Sequence, residues 1–259
     1  MADHQEDDMT CTRSADGTVI AVDRTGTGPA LIVVVGAFGD RQSKKSLSVG
    51  LADRFTVFEY DRRGRGESGP VGDVTVEREV EDLAAVVAQT GESPFVFGDS
   101  SGGAIAIAAA AAGIEVRKIA VYEVPYTQGP SFAFADELSA LVSAGERSEA
   151  VERFLMLVGT PPEAIEGMKQ GPFWPHLESI AATLPIDVRL CNDGRVPKDQ
   201  LAKVTVPLLA LAGDRGPWAV NVANSIATAA PRGGSQILAG YGHDVPDAVL
   251  SRAVSAFFD

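Results

Sequence analysis

A chain of 259 residues, 45% hydrophobic and 22% charged, is long enough to bury a large core and too apolar to stay disordered. Its formal net charge of -13 works against nucleic acid as a partner, and its longest apolar stretches, residues 30–38 and 104–114, fall far short of the roughly 20 needed to cross a bilayer. The two cysteines, Cys11 and Cys191, have no metal-type spacing and suit two free thiols in a reducing cytoplasm.

Residues 1–8 carry Asp3, Glu6, Asp7 and Asp8 without a basic or apolar segment, so residues 1–10 read as a mobile acidic tail rather than a secretory signal. Residues 18–23 form a strand between Ala15-Asp16-Gly17 and Gly26-Thr27-Gly28-Pro29, an opening antiparallel hairpin. Residues 30–35 are a continuous β-branched run of the kind buried on both faces of a sheet. The run ends at Gly36-Ala37-Phe38-Gly39, a loop suited to wall a site. Residues 43–53 suit a helix, and 55–60 another buried strand closed by Asp61-Arg62-Arg63-Gly64-Arg65-Gly66-Glu67-Ser68. Val76, Val80, Leu83, Val86 and Val87 mark one face of a helix over 76–88.

Residues 95–97 are a short apolar strand, and an alanine-rich stretch from Ala104 to about residue 112 favours helix. A strand at 119–123 follows. Residues 124–206 show only helical patterns, at 133–144, 147–158, 163–169 and around 177–184. The chain closes with a strand at 208–212, a helix at 219–229, a strand at 236–238 and a helix at 247–258. This alternation predicts an α/β fold with a mainly parallel, doubly covered sheet and right-handed crossovers. Its core comprises residues 11–125 and 205–259, with a helical cap at 126–204 inserted between two strands. Ligands in such sheets collect beyond the carboxyl ends of the strands.

Strand meets helix at Gly98-Asp99-Ser100-Ser101-Gly102, a G-x-S-x-G turn that holds Ser100 out above the sheet. A frame centred on Ser101 places Asp99 where a glycine is wanted. The plain alternative is a glycine-rich turn with a polar helix cap. A serine nucleophile requires a base and a group to orient that base. Of three histidines, His4 is in the tail and His176 in the cap, whereas His243 follows the last strand in Gly240-Tyr241-Gly242-His243-Asp244. The oxyanion donors expected are the N–H of Ser101 and that of Ala37 or Phe38. The acid is Glu123 or Asp214, each following a strand. Asp187, Asp193 and Asp244 read as solvated loop charges.

Three motifs together, Gly98-x-Ser100-x-Gly102, the Asp61-to-Ser68 loop and Gly242-His243, resemble the α/β-hydrolase fold superfamily over residues 19–258, apart from the cap. The resemblance implies that the arginine-glycine loop is structural, so that Arg62, Arg63 and Arg65 need no anionic partner. The order serine, acid, histidine also matches. Two positions depart from the family: Val35-Gly36 stands where His-Gly is usual, which removes a supporting side chain, and Gly216 occupies the place of the commonest acid. Glu123 matches the place where members of the haloalkane dehalogenase type carry theirs, so both carboxylates stay open.

The function expected is a serine hydrolase cleaving an ester, thioester or lactone of a medium-sized apolar small molecule. Tyr126, Phe154, Phe173, Trp174 and Trp218 are available to line its pocket. No cofactor and no metal are implied. The partner is a small-molecule substrate, with no nucleic acid and no membrane, and a homodimer is compatible with this reading. The serine at position 100 argues against dehalogenase and epoxide-hydrolase chemistry, which in this fold uses an aspartate there. The alternatives are a natural-product tailoring enzyme, performing a cyclisation or lactone opening, and a non-catalytic small-molecule binding protein.

Overall fold

Strands β3 (Ala30–Val34), β5 (Phe95–Asp99) and β6 (Lys118–Tyr122) are nearly continuous runs of buried residues, the pattern of strands covered on both faces. The computed structural model, which describes residues 10–70, 72, 75–127 and 131–259, places them mid-sheet. The flanking strands are β1 (Thr10–Arg13), β2 (Val19–Thr25), β4 (Thr56–Tyr60), β7 (Leu208–Gly213) and β8 (Gly233–Leu238), and the order is β1-β2-β4-β3-β5-β6-β7-β8. β1 and β2 join antiparallel; every pairing from β4 to β8 is parallel.

One face of the sheet is covered by α2 (Val76–Thr90), α3 (Ser101–Ala111) and α10 (Pro217–Ala229), through Leu83, Val86, Ile105, Val222 and Ile226. The other is covered by α1 (Lys45–Leu51) and α11 (Asp247–Phe258), through Leu47, Leu51, Leu250 and Phe258. The sequence of α3 has no polar face, and eight of its residues are buried, as expected of a helix enclosed on all sides. α2 starts at the Thr75 hydroxyl, which accepts from the Arg78 N–H at 3.2 Å.

Several element boundaries shift by a few residues from the sequence reading, and two of the shifts bear on the sheet. Thr10 already belongs to β1, which pairs with β2 as the expected antiparallel hairpin in the register Thr10↔Val22; residues 1–9 of the expected tail lie outside the described residues. β8 begins at Gly233, opposite Leu208, three residues before the expected start, because backbone pairing makes a strand of two glycines that carry no strand signal.

Between β6 and β7 lie α4 (Phe132–Ser143), α5 (Arg147–Leu157), α6 (Pro162–Lys169), α7 (Trp174–Ser179), α8 (Leu184–Leu190) and α9 (Lys198–Leu201). The pattern around 177–184 resolves into the end of α7, one 3-10 turn and the start of α8, where Pro185 suits the first turn. α4 to α8 share a hydrophobic core of their own that includes Leu138, Val151, Phe154, Trp174, Leu177 and Leu184. Ala37 and Phe38 of the loop after β3 pack against it, and Phe38 meets Phe154 edge to face at 5.3 Å. Among the described residues no helix is long and apolar enough to cross a membrane.

Candidate active site

Ser100 stands between β5 and α3 with φ 54° and ψ -124°. That conformation strains any residue with a Cβ. Its neighbours are glycines because the backbone leaves no room for more: a Cβ on Gly98 would lie 2.5 Å from the Gly103 Cα, and one on Gly102 would lie 2.1 Å from the Val34 carbonyl oxygen. The Ser100 N–H donates to the Tyr122 carbonyl at 2.9 Å, fixing the bend against β6. Above it opens a cavity of about 600 Å³, lined in part by Ala37, Ser100, Ser101, Glu123 and His243.

Glu123 directly follows β6 in a left-handed conformation, φ 44°. Its N–H donates to the Leu211 carbonyl at 3.0 Å, and its carboxylate is held from two sides. Oε1 accepts the Gly213 N–H at 3.0 Å, and Oε2 lies 2.9 Å from His243 Nδ1. This contact raises the His243 pKa above the ordinary imidazole value, burial opposing it in part. Tyr122 stacks beside the imidazole, centroids 6.3 Å apart, and its hydroxyl donates to the Gly242 carbonyl. The histidine loop is thereby tied to the strand that Glu123 follows.

Asp214, the other carboxylate left open by the sequence, turns away from this pair: its Oδ1 accepts the Gly240 N–H at 2.8 Å and closes the turn after β8. It is not the partner of His243. Ala37 lines the cavity, whereas the Phe38 ring packs on Phe154 and Phe38 is absent from the lining. Ser101 is the first residue of α3, so its N–H has no partner within the helix. Among the described residues no hydrogen bond engages the N–H of Ala37 or Ser101.

Of the five apolar residues expected in the pocket, Phe154 and Trp218 line it. The other three do not. Tyr126 is buried in the sheet core, Trp174 is buried in the helical core with its indole N–H donating to Ser148 Oγ at 2.9 Å, and Phe173 is 58% exposed beside His176. A rim and an interior of one helical segment present the same kinds of residue in sequence. The wall also includes Leu157, Val158, Val188 and Cys191, none of them singled out from sequence. Burial and the nearby Asp187 push the Cys191 thiol up to about 12.

The arginine loop is structural, with its charges met inside the chain, whereas Asp187 departs from expectation. Arg62, Arg63 and Arg65 are fully buried and each is paired with carboxylates of the chain. Arg62 meets Glu79 at 2.7 Å and Asp187 at 2.7 Å, Arg63 meets Asp82 at 2.6 Å and Asp16 at 3.0 Å, and Arg65 meets Asp187 at 2.6 Å. A buried cation without such a partner is costly. Asp187 is therefore no solvated loop charge. It sits in α8, and although burial opposes its charge, Arg62 and Arg65 outweigh that and hold its carboxyl below the usual range. The signal in the sequence was an acid inside the apolar run Leu184-Pro185-Ile186-Asp187-Val188. Asp244 does stay exposed on the cavity rim, and Asp193 sits in a left-handed turn after α8.

Among the described residues no group of three or more His, Cys, Asp or Glu side chains is placed to hold a metal ion. The family model described as the alpha/beta hydrolase family matches residues 31–256. An alpha/beta hydrolase from Sphaerobacter thermophilus DSM 20745 superposes with TM-score 0.87 at 36% identity, covering 96% of this chain and 100% of that one. A thermophilic esterase from Thermogutta terrifontis, solved with malate bound, shares the fold with TM-score 0.72 at 22% identity over 96% of each chain. The uncharacterized hydrolase YraK of Bacillus subtilis is 32% identical over 100 residues, and the match spans 37% of this chain and 37% of that protein.

Proposed function

Because the chain belongs to the alpha/beta hydrolase family, we propose that it is a serine hydrolase cleaving an ester, thioester or lactone of a medium-sized apolar small molecule. The observation that carries this reading is the 2.9 Å contact between His243 Nδ1 and Glu123 Oε2 on the wall of the cavity that Ser100 also lines. With Nδ1 engaged by the carboxylate, Nε2 is the free base.

Ser100 Oγ attacks the substrate carbonyl as His243 Nε2 takes its proton, and the carbonyl π electrons move to oxygen. The Ala37 and Ser101 N–H groups hold that oxyanion, with the positive end of α3 behind Ser101. Collapse of the tetrahedral species expels the alcohol, thiol or ring oxygen, which receives the proton from His243. Water, deprotonated by the same imidazole, then releases the acid and restores Ser100. Glu123 stays ionised throughout, fixing the tautomer and orientation of His243. Phe154, Leu157, Val158 and Trp218 supply apolar surface to the acyl or leaving group, so the α4 to α8 segment serves as a cap. Its partner is a small molecule, and the free Cys11 and Cys191 accord with a reducing cytoplasm.

Glu123 beside His243 gives this reading the carboxylate that position 216 does not offer, which favours it over a tailoring role. The test is a p-nitrophenyl ester assay with fluorophosphonate labelling: turnover and label both abolished by Ser100→Ala and by His243→Ala support the reading. Turnover that persists in Ser100→Ala overturns it.

A further inference from the structure

One carboxylate reaches both sides of the proposed oxyanion site. Asp187 is 2% exposed. Its Oδ1 accepts from Ser101 Oγ at 2.7 Å and from Arg62 Nη1 at 2.7 Å, while Oδ2 accepts from Arg65 Nη2 at 2.6 Å. Arg65 in turn donates from Nη1 to the Gly36 carbonyl at 2.6 Å and to the Gly39 carbonyl at 3.1 Å. The Gly36 carbonyl and the Ala37 N–H belong to one planar trans peptide, so anchoring the oxygen on Arg65 turns the N–H to the opposite side. A carbonyl that accepts from a cation also polarises its own N–H into a better donor. On the other side, the hydroxyl of Ser101 ties the first residue of α3, whose N–H is the second donor, to the same carboxylate.

The pairing is charge-closed, Arg62 and Arg65 against Glu79 and Asp187, which leaves Asp187 no spare oxygen for proton transfer. Burial and the neighbouring Arg62 both work against the Arg65 cation; Asp187 and Glu79 offset them in part, and of the two only Asp187 is hydrogen-bonded to Arg65. Without it the guanidinium that holds the Gly36 carbonyl would sit beside another cation with no carboxylate bonded to it, left to the Thr183 hydroxyl at 3.3 Å and the two glycine carbonyls.

We propose that Asp187 is a positioning residue that holds the Ala37 and Ser101 N–H groups in register with one another, so that helix α8, above the cavity, sets the geometry of oxyanion stabilisation. This inference rests on the reading of Ser100 as the nucleophile. It separates from a merely structural role because an oxyanion defect weakens binding of the tetrahedral state and leaves ground-state binding alone.

The experiment compares the full-length protein with Ser101→Ala and Asp187→Asn. It reads p-nitrophenyl butyrate turnover per site titrated to completion with a fluorophosphonate, affinity for an aryl trifluoromethyl ketone that adds to the serine, and affinity for the matching carbinol that does not. Expected are a loss of about ten- to a hundredfold in kcat with KM within about twofold, a parallel loss of ketone affinity, and unchanged carbinol affinity. A lowered melting temperature with per-site kcat and ketone affinity intact overturns the proposal. Should Asp187→Asn fail to accumulate as folded protein, Ser101→Ala, which leaves both arginine pairs in place, decides by the same criterion. Wild-type protein that takes no label at Ser100 overturns the nucleophile reading and this proposal together, whereas full labelling with unchanged per-site kcat in the variants overturns this proposal alone.

Discussion

The carboxyl edge of the sheet and the helical segment above it bring residues to one cavity by opposite routes. At the edge, backbone geometry does the placing: Phe38, Ser100 and Glu123, in the loops after β3, β5 and β6, all hold positive φ, at 59°, 54° and 44°. Such conformations cost about 1–3 kcal/mol each and persist only where the surroundings over-determine them, as neighbouring parallel strands do here. In the helical segment, packing does the placing: Phe154 and Val188 line the cavity while belonging to the same buried core as Leu138, Trp174 and Leu184. The difference teaches where substitutions should register: in rate at the sheet edge and at Asp187, which is bonded to it, and in stability at the residues that fill the helical core.

The sharpest way to break this contrast is at the nucleophile and the base. Ser100→Ala or His243→Ala should lower kcat about 10⁶-fold while the melting temperature stays within a few degrees, measured by ester turnover and calorimetry. Glu123→Gln should cost about 10⁴-fold, from loss of the correct imidazole tautomer. The same variant has a signature in pH. His243 must be neutral to act as a base, and the Glu123 contact raises its pKa, so kcat/KM should climb with pH through a limb above the ordinary imidazole value near 6.5. In Glu123→Gln that limb should move down.

Trp174→Ala tests the other half of the contrast. It should destabilise the protein by about 3–5 kcal/mol in denaturant titrations while the turnover of folded protein changes little. Trp218→Ala, on the cavity wall, should raise KM for apolar esters about tenfold at nearly constant kcat, consistent with the loss of roughly 1–2 kcal/mol of contact. Smallest of all, Asp214→Asn should leave turnover within about threefold of wild type. A large loss there would return Asp214 to the acid's role.

The bend that presents Ser100 and the loop that carries His243 were legible because each depends on local sequence: glycines where a Cβ meets backbone, a strand before the turn and a helix after it. The carboxylate that meets His243 was not. β6 and β7 are neighbours, each followed by a carboxylate, and the choice rests on register. Tyr122 stands opposite Leu211, so Glu123 leaves its strand level with the cavity, whereas Asp214 lies further along β7 and bends to Gly240. Likewise the Gly36 carbonyl is held by Arg65, 29 positions further along the chain, a contact that Val35-Gly36 alone does not announce.

By itself the sequence determined the alternation of strands and helices, the serine at the bend and the imidazole near the end of the chain, because hydrophobic period and steric exclusion act over a few residues. Only the tertiary structure decided which carboxylate meets His243, which aromatic rings reach the cavity and where three buried arginines find their charge partners. Those outcomes depend on strand register and helix docking, which bring together atoms from distant parts of the chain.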